Sequence, residues 1–220
     1  WGVVVVAGTS NNCRGRDRLG REGRVTGCGP RYGEYGGASE LVARAIQAVA
    51  RAWTKRGPVT LLTEAFIQAV GASSEDDLLE GMALERYRIS AADARLVFEA
   101  AARGDQVAQE VIRWAGRELG SLAEGVIRQL AFEELAFDVV MAGSLFDASA
   151  MLVDAMQTRI EQVAPKTRLV RLAAPPVVGG VLLGMQQAGF RVSSQREALL
   201  ESTSRLLRTL EPGLTHSGLP

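Results

Sequence analysis

The run Val3-Val4-Val5-Val6-Ala7-Gly8-Thr9-Ser10-Asn11-Asn12-Cys13-Arg14 stands at the start of the chain and decides its fold. A continuous β-branched run predicts a strand covered on both faces. The small polar turn from Gly8 to Asn12 presents backbone amides and hydroxyls to which an anion has access. An ordinary hairpin turn explains the same letters, and composition alone favours that interpretation.

Two short segments follow, Cys13–Arg16 and Arg24–Gly27, and Asp17–Gly20 between them predicts a hairpin. A glycine-rich loop then leads into a helix from about Ala38 to Arg56, which Gly57-Pro58 stops. Residues 58–131 keep a helical period. Their predicted helix starts are Ser73-Ser74, the capping box from Ser90 to Asp93, and a long helix from about Asp105 to Ala131.

Strands and helices alternate in the last third of the chain. We expect strands at Phe137–Met141 and Arg168–Leu172, and helices at Ala148–Val163, Pro176–Ala188 and about Ser194–Leu210. The pattern predicts an α/β fold. Three hairpin-linked strands followed by alternating helix and strand describe a ribonuclease-H-like lobe with a helical insertion.

The bulk composition limits the class of protein. Of the 220 residues, 47% are hydrophobic and 23% charged, and the formal net charge is zero, which predicts a soluble globular protein without nucleic acid or membrane as partner. The six arginines between Arg14 and Arg31 favour a solvated hairpin over phosphate attraction. No signal peptide is recognisable, which favours the cytoplasm.

Cysteine and histidine are too few for several kinds of site. Cys13, Cys28 and His216 cannot build a disulfide framework, a four-ligand zinc site, or a Ser-His-Asp or Cys-His centre. The cysteines lie on neighbouring predicted strands, either as small core residues or as ligands of a cluster shared across a dimer. Trp53 and Trp114 lie on helix stripes and are predicted core residues.

Two further segments could carry chemistry. Ala142-Gly143-Ser144 ends a predicted strand, where a flat ligand could approach the backbone, although a tight strand-to-helix connection needs the same residues. Glu34, between Gly33 and Tyr35 at a helix entrance, could bind hydroxyls or the waters of a cation. A charge that interacts with the helix dipole is an equal alternative.

In this order, the segments resemble the N-acetylglucosamine kinase and BadF/BadG/BcrA/BcrD-type ATPase family, within the superfamily of sugar kinases, actin and heat-shock chaperones. The resemblance runs from Val3 to about Phe190. Its best pieces are Ala7–Arg14, Gly27-Cys28-Gly29, Val139–Phe146 and Pro175–Gly180. It implies the C-terminal lobe of the actin-like ATPase fold: ribonuclease-H-like elements at about 2–57 and 136–190, a helical block at 58–131, and a C-terminal helix and tail at 191–220.

The resemblance also implies site residues. Gly8, Thr9 and Ser10 would face the phosphates of ATP, and Gly143 and Ser144 would line the adenosine pocket. Asn12 would contact the sugar, and Glu34 stands where the family has an Asp that binds sugar hydroxyls. ATP and Mg²⁺ are the implied cofactors, and the catalytic residues are not assigned.

Departures from the family pattern bear on this interpretation. The usual Gly-Thr-Gly-Ser is Gly8-Thr9-Ser10-Asn11 here, and the family's Gly-Trp-Gly stretch is replaced by Pro30-Arg31-Tyr32. Family members carry the first phosphate loop, the magnesium carboxylate and the general-base Asp in the N-terminal lobe. Because the sequence opens at Trp1 inside a strand, we expect a fragment or processed chain that does not turn over alone.

The predicted activity of the full-length protein is therefore ATP-dependent phosphorylation of an amino sugar such as N-acetylglucosamine, with a homodimer possible. Two alternatives stay open. One is an ATPase that activates a partner redox enzyme, and the other is a non-catalytic regulatory or dimerisation module.

Overall fold

The computed structural model describes residues 1–190, 192 and 195–210. The predicted tail Glu211–Pro220, with His216, and the predicted helix start at Ser194 lie outside those residues. The described chain forms two compact units, one from Trp1 to Val170 and one that starts at Arg171. The extent of the predicted lobe stays a prediction.

A five-stranded sheet forms the centre of the first unit. Its strands are β1 (Gly2–Ala7), β2 (Asn11–Arg16), β3 (Glu22–Arg24), β4 (Asp138–Ala142) and β5 (Arg168–Arg171), in the order β3-β2-β1-β4-β5. β1 pairs antiparallel with β2 and parallel with β4, and β2 pairs antiparallel with β3. The predicted α/β class and the three hairpin-linked strands are confirmed.

The helices are α1 (Ala38–Trp53), α2 (Leu61–Val70), α3 (Glu75–Ala83), α4 (Ala94–Ala102), α5 (Gln106–Leu130), α6 (Ala150–Glu161), α7 (Pro176–Gln187) and α8 (Arg196–Leu210). Short 3₁₀ turns occupy Gly29–Tyr32, Ala91–Asp93 and Ser144–Asp147. The predicted caps are confirmed: Ser74 accepts a hydrogen bond from the amide of Asp77 at 3.1 Å, and Ser90 and Asp93 form the reciprocal box.

Burial alternates along β1. Val3, Val5 and Ala7 are buried, whereas Val6 is 38% exposed and Val4 is half-buried. The prediction of a strand covered on both faces is therefore wrong. An all-valine run satisfies one-sided burial as well as two-sided burial, so the letters alone do not distinguish them.

The hairpin after β2 turns where the sequence predicted it. The Asp17 carboxylate accepts hydrogen bonds from the amides of Leu19 and Arg21, at 2.9 and 2.8 Å. The returning strand covers Glu22–Arg24, so the predicted bounds Arg24–Gly27 are wrong. The amide of Val25 still donates to the carbonyl of Cys13 on β2. Beyond it, the amides of Thr26 and Cys28 donate to the carboxylate of Glu34 and not to the sheet. Most arginines of this segment are solvent-exposed, in keeping with a solvated hairpin.

Helix α5 is the centre of the packing. Its buried stripe lies against β1, β2 and β3 on one side and against α1, α4 and α6 on others. Gly116 and Gly120 let α6 approach closely, since a Cβ at Gly116 would lie 2.3 Å from the carbonyl oxygen of Leu152. The predicted bounds of this helix hold, with Asp105 as N-cap and Ala131 in the left-handed region at its end.

Trp53 is the exception to the predicted core. It is 46% exposed, and its indole N–H donates to Asp76 at 2.6 Å. Trp53 is the last residue of α1, where the stripe leaves the core and meets the acidic first turn of α3. Trp114 is partly buried against the core, as predicted.

The second unit contains α7 and α8, which contact each other. Helix α7 begins with Pro176 at its first position, as the sequence predicts.

Candidate functional site

The three-residue connection Gly8-Thr9-Ser10 joins β1 to β2 at the carboxyl end of β1. The amide of Gly8 donates to the carbonyl of Ser10 at 3.0 Å, which makes the turn tight. Within the described part of the chain, the amides of Thr9 and Ser10 donate to no backbone carbonyl, and no atom lies within 4 Å of where a Gly8 Cβ would be. An anion can therefore approach this backbone closely.

The first turn of α1 supports this loop from behind. The amides of Ala38 and Ser39 donate to the carbonyls of Gly8 and Thr9, at 2.9 and 3.0 Å. These helix-start amides are used inside the protein, so the start of α1 braces the loop and its amides are not free for a ligand. A Cβ at Gly37 would lie 2.7 Å from the backbone of Ser10, so only glycine allows this contact.

Glu40 is a positioning residue that the sequence analysis missed. One oxygen of its buried carboxylate accepts from the amide of Gly37 at 2.9 Å and from the side-chain amide of Asn11 at 3.1 Å. It thereby ties the start of α1 to the start of β2, on the far side of the loop. Glu40 is the third residue of α1, the position of the acidic residue in a capping box, and this spacing in the sequence could have predicted its role.

Gly143 and Ser144 follow β4 at the same edge of the sheet. The parallel register pairs Val6 with Ala142, which puts Gly143 beside the end of β1. Gly143 has φ +107°, and a Cβ there would lie 2.1 Å from the carbonyl oxygen of Ala7. The structure thus brings the Gly8–Ser10 and Gly143–Ser144 segments together, at the edge where open α/β sheets bind ligands.

Asn12 lies on β2, opposite Val6 and near the same edge. Its side-chain Oδ1 is buried and has no hydrogen-bond partner among the described residues. Its Nδ2 lies 3.3 Å from where a Cβ of Gly27 would be. A buried acceptor without a partner is costly and points to a group that the protein alone does not supply.

Glu34 accepts hydrogen bonds from the residues before and after Gly27. The amide of Thr26 donates to its Oε1 at 2.5 Å, and the amides of Cys28 and Gly29 donate to its Oε2 at 2.9 and 3.1 Å. Burial opposes ionisation of Glu34, but the Thr26 hydroxyl and these three amides outweigh it and hold the pKa of the carboxyl below its ordinary value. Glu34 is therefore an anion at neutral pH.

The two cysteines do not form a common site. Cys13 is buried in the core side of β2, whereas Cys28 is exposed in the loop after β3, and both are free. The prediction that they lie on neighbouring strands is wrong for Cys28. Among the described residues no group of three or more His, Cys, Asp or Glu side chains could hold a metal ion.

Two observations concern the chain as a whole. In the described residues, no helix is both long and apolar enough to cross a bilayer. The model of the BadF/BadG/BcrA/BcrD ATPase family matches residues 1–184. The chain belongs to this family. The resemblance inferred from the sequence is confirmed.

Curated relatives are sugar kinases. The chain is 27% identical to N-acetyl-D-glucosamine kinase of Dictyostelium discoideum and 25% identical to N-acetylmuramic acid/N-acetylglucosamine kinase of Clostridium acetobutylicum, each match covering 84% of the chain. The matches cover 59% and 61% of those relatives. The chain therefore spans about three fifths of their length.

A solved structure agrees with this placement. It is the crystal structure of a protein from Chromobacterium violaceum proposed to be an N-acetylglucosamine kinase, with 26% identity and a TM-score of 0.62 over 83% of this chain and 59% of that one. The ribonuclease-H-like, actin-like ATPase fold expected from the sequence is confirmed.

Proposed function

We propose that the full-length protein transfers the γ-phosphoryl group of ATP to a hydroxyl of an amino sugar such as N-acetylglucosamine. The observation that carries this proposal is the meeting of the Gly8–Ser10 and Gly143–Ser144 backbones at one sheet edge, next to the unpartnered oxygen of Asn12. Kinase relatives support the same choice.

In the proposed site, the amides of Thr9 and Ser10 stabilise phosphate charge, and Gly8, whose own amide is bonded within the turn, leaves room for the phosphates to approach. Backbone amides that need no reorganisation are effective donors to a developing anion. The brace from α1 keeps the loop in place, because Gly8 and Thr9 each accept a hydrogen bond from its first turn.

Gly143 and Ser144 border the adenosine. The absence of a side chain at Gly143 allows its contact with Ala7, which holds this segment beside the end of β1, where a flat ring could bind.

Asn12 and Glu34 serve the sugar side. The free Oδ1 of Asn12 accepts a hydrogen bond from a sugar hydroxyl or from the amide of an N-acetyl group. Glu34 accepts hydrogen bonds from the amides that flank Gly27, and we assign it to the same part of the site.

In the reaction, the bond between the γ-phosphorus and the β,γ-bridging oxygen breaks, and a bond from the sugar oxygen to that phosphorus forms. The hydroxyl proton passes to a general base, which we place outside the residues assigned here. Mg²⁺ would neutralise the phosphate oxygens when bound. It would be held through the phosphates that the Gly8–Ser10 loop binds, since Mg²⁺ needs few protein ligands where substrate phosphates coordinate it.

The redox-activating ATPase has no specific observation in its favour. Cys13 lies in the core and Cys28 lies exposed in another segment, so together they do not approach a cluster-binding pair.

Calorimetric titration of Mg-ATP into the full-length protein, with and without N-acetylglucosamine, tests the proposal. We expect nucleotide affinity to rise in the presence of the sugar, because a two-lobed kinase closes around both ligands. ATP binding that no amino sugar changes would contradict the kinase and favour the partner-activating ATPase. A folded protein that binds no ATP would overturn both enzymes and leave the non-catalytic module.

Asn12→Ala sharpens the test. We expect it to weaken N-acetylglucosamine binding by about tenfold, the cost of one buried hydrogen bond, while Mg-ATP affinity without sugar stays unchanged. Equal loss of both affinities would indicate a damaged fold, and unchanged sugar affinity would remove Asn12 from the site.

A further inference from the structure

Glu34 is an acidic side chain buried without a basic partner. It is only 6% exposed, and among the described residues no Lys or Arg forms an ion pair with it. A buried charge needs compensation, so the groups that supply it define what the residue does.

All of that compensation comes from one short loop. The three amide hydrogen bonds to Glu34 come from Thr26, Cys28 and Gly29. These amides follow directly on β3, whose pairing with β2 ends at Arg24 and Val25. The carboxylate thus takes over as acceptor where the sheet ends, and it sets the course of residues 26–29.

The loop occupies most of the carboxylate. Two carboxylate oxygens offer about four acceptor positions in total. Three loop amides already point to them, and the side chain is only 6% exposed. The main partner of Glu34 is therefore the loop, and little of the carboxylate is left for a sugar hydroxyl.

The loop in turn lies against Asn12. Gly27, at its centre, has φ +73°, and a Cβ there would lie 3.3 Å from the Nδ2 of Asn12. One end of the Asn12 amide therefore faces the loop that Glu34 holds, while the Oδ1 at the other end stays without a partner.

We propose that Glu34 is a positioning residue of the sugar site: its carboxylate folds the loop Thr26–Gly29 against Asn12, and it does not itself contact the sugar. This inference rests on the proposed function. It assigns direct recognition to Asn12 and indirect action to Glu34.

Substitutions at Glu34 separate the two roles. Glu34→Gln keeps the size of the side chain but replaces one acceptor oxygen by a donor NH₂, which faces amide donors. Glu34→Asp keeps the charge but is one methylene shorter. Glu22→Gln, at an exposed position on β3, is the matched control for the loss of a negative charge.

The decisive experiment combines these variants of the full-length protein with N-acetylglucosamine and its monodeoxy analogues, one for each hydroxyl. We expect Glu34→Gln to raise the Kd of every sugar by the same factor, at least about tenfold, since a buried acceptor is lost. The penalty for removing any hydroxyl would then equal that of the unmodified protein. Glu34→Asp should recover part of the affinity, and Glu22→Gln should change nothing.

Direct contact predicts a different pattern. If Glu34 accepted a particular hydroxyl, the penalty for removing that hydroxyl would disappear in Glu34→Gln, as a double-mutant cycle requires. That result would overturn the positioning role and leave the proposed kinase intact. Mg-ATP affinity without sugar should be unchanged in Glu34→Gln, whereas a globally destabilised variant would lose it too.

A second measurement needs no sugar. Amide hydrogen exchange should show Thr26, Cys28 and Gly29 protected in the unmodified protein. Glu34→Gln keeps one acceptor oxygen, so we expect faster exchange either at Thr26 or at Cys28 and Gly29, according to which side the remaining oxygen faces. Unchanged protection at all three amides would overturn the inference. An unmodified protein that binds no sugar would instead refute the proposed function and the sugar role with it, and the exchange result would still decide whether Glu34 holds the loop.

Discussion

At the scale of single residues, Gly143 is the position where the site allows least change. Its backbone has φ +107°, a region that side chains rarely adopt, and a Cβ would overlap the carbonyl oxygen of Ala7. Both costs fall on the contact that joins the ends of β1 and β4. The closeness of the two proposed nucleotide segments therefore depends on the absence of one methyl group.

We predict that Gly143→Ala lowers the free energy of unfolding by more than about 3 kcal/mol, because strain and overlap add. Gly71→Ala is the reference: Gly71 ends α2 at φ +69° and ψ +30° with no atom within 4 Å of a Cβ, so it gives the cost of the left-handed helical region alone, about 1–2 kcal/mol. Gly143, with ψ +151°, lies in a positive-φ region that is costlier for a side chain, which adds to the expected difference. Urea unfolding of the two variants measures the difference. Equal losses would show that Ala7 gives way and that the contact is not restrictive.

At the scale of elements, the close packing of α5 on α6 depends on small residues. A Cβ at Gly116 would meet the backbone of Leu152, and one at Gly120 would lie 2.7 Å from the Cβ of Arg159. Glu124 of α5 pairs with Arg159 of α6 at 2.6 Å across the same interface. Because α5 also packs on the sheet, its close contact with α6 sets the position of α6 relative to the sheet.

We predict that Gly116→Ala destabilises the protein by about 1–3 kcal/mol, since the helices must move apart to admit the methyl group. Gly125→Ala lies on the same helix with no atom within 4 Å of the new Cβ, and we expect it to be neutral or to stabilise by up to about 1 kcal/mol. Chemical denaturation of both variants gives the comparison. A Gly116→Ala protein as stable as Gly125→Ala would contradict the close packing.

The elements also show what local sequence signals can predict. Asp105 and Ala131 bound α5 as expected, because capping and helical period depend on neighbouring residues. The end of β3 at Arg24 was not predictable from local sequence. It depends on the side chain of Glu34, ten residues further on, which accepts hydrogen bonds from the amides of Thr26 and Gly29. The exposure of Trp53 likewise depends on what packs at the end of α1.

The candidate site likewise has features that the sequence could predict and features that it could not. That Gly8–Ser10 and Gly143–Ser144 lie near each other could be expected from strand ends alone, because parallel neighbours end at one edge. Three features follow only from the three-dimensional structure: the tie from α1 to β2 through Glu40, the loop amides bound to Glu34, and the unpartnered oxygen of Asn12. Each depends on contacts between residues that the sequence keeps apart.

At the scale of the whole molecule, titratable groups limit stability at both ends of the pH range. Among the residues that the structure describes, four carboxyl groups have pKa values below their ordinary ones: Asp17, Glu34, Asp77 and Asp138. Partial desolvation opposes ionisation of Asp17 and Glu34 but is outweighed by hydrogen bonds, and hydrogen bonds are the leading cause in Asp77 and Asp138. Their contribution is present above pH 4.5 and is lost as the pH falls through the lowered values.

The alkaline limit follows from Cys13. Burial raises the pKa of its thiol from 9.0 to about 12. Between these values the folded protein keeps a proton that the unfolded chain has released, so the contribution is complete below pH 9.0 and is lost as the pH rises toward 12. One proton corresponds to a loss of about 1.4 kcal/mol per pH unit in this window.

We therefore predict that Cys13→Ala removes one proton's worth of the alkaline slope of stability against pH, although the smaller side chain lowers stability at pH 7. Cys28→Ala, which removes the exposed thiol, is the comparison variant. Urea unfolding of the three proteins at intervals from pH 7 to 10.5 measures the slopes. Equal slopes in the unmodified protein and Cys13→Ala would mean that water reaches the thiol. The side chain of Cys13, opposite Val5 on β1, would then not be buried as the structure shows.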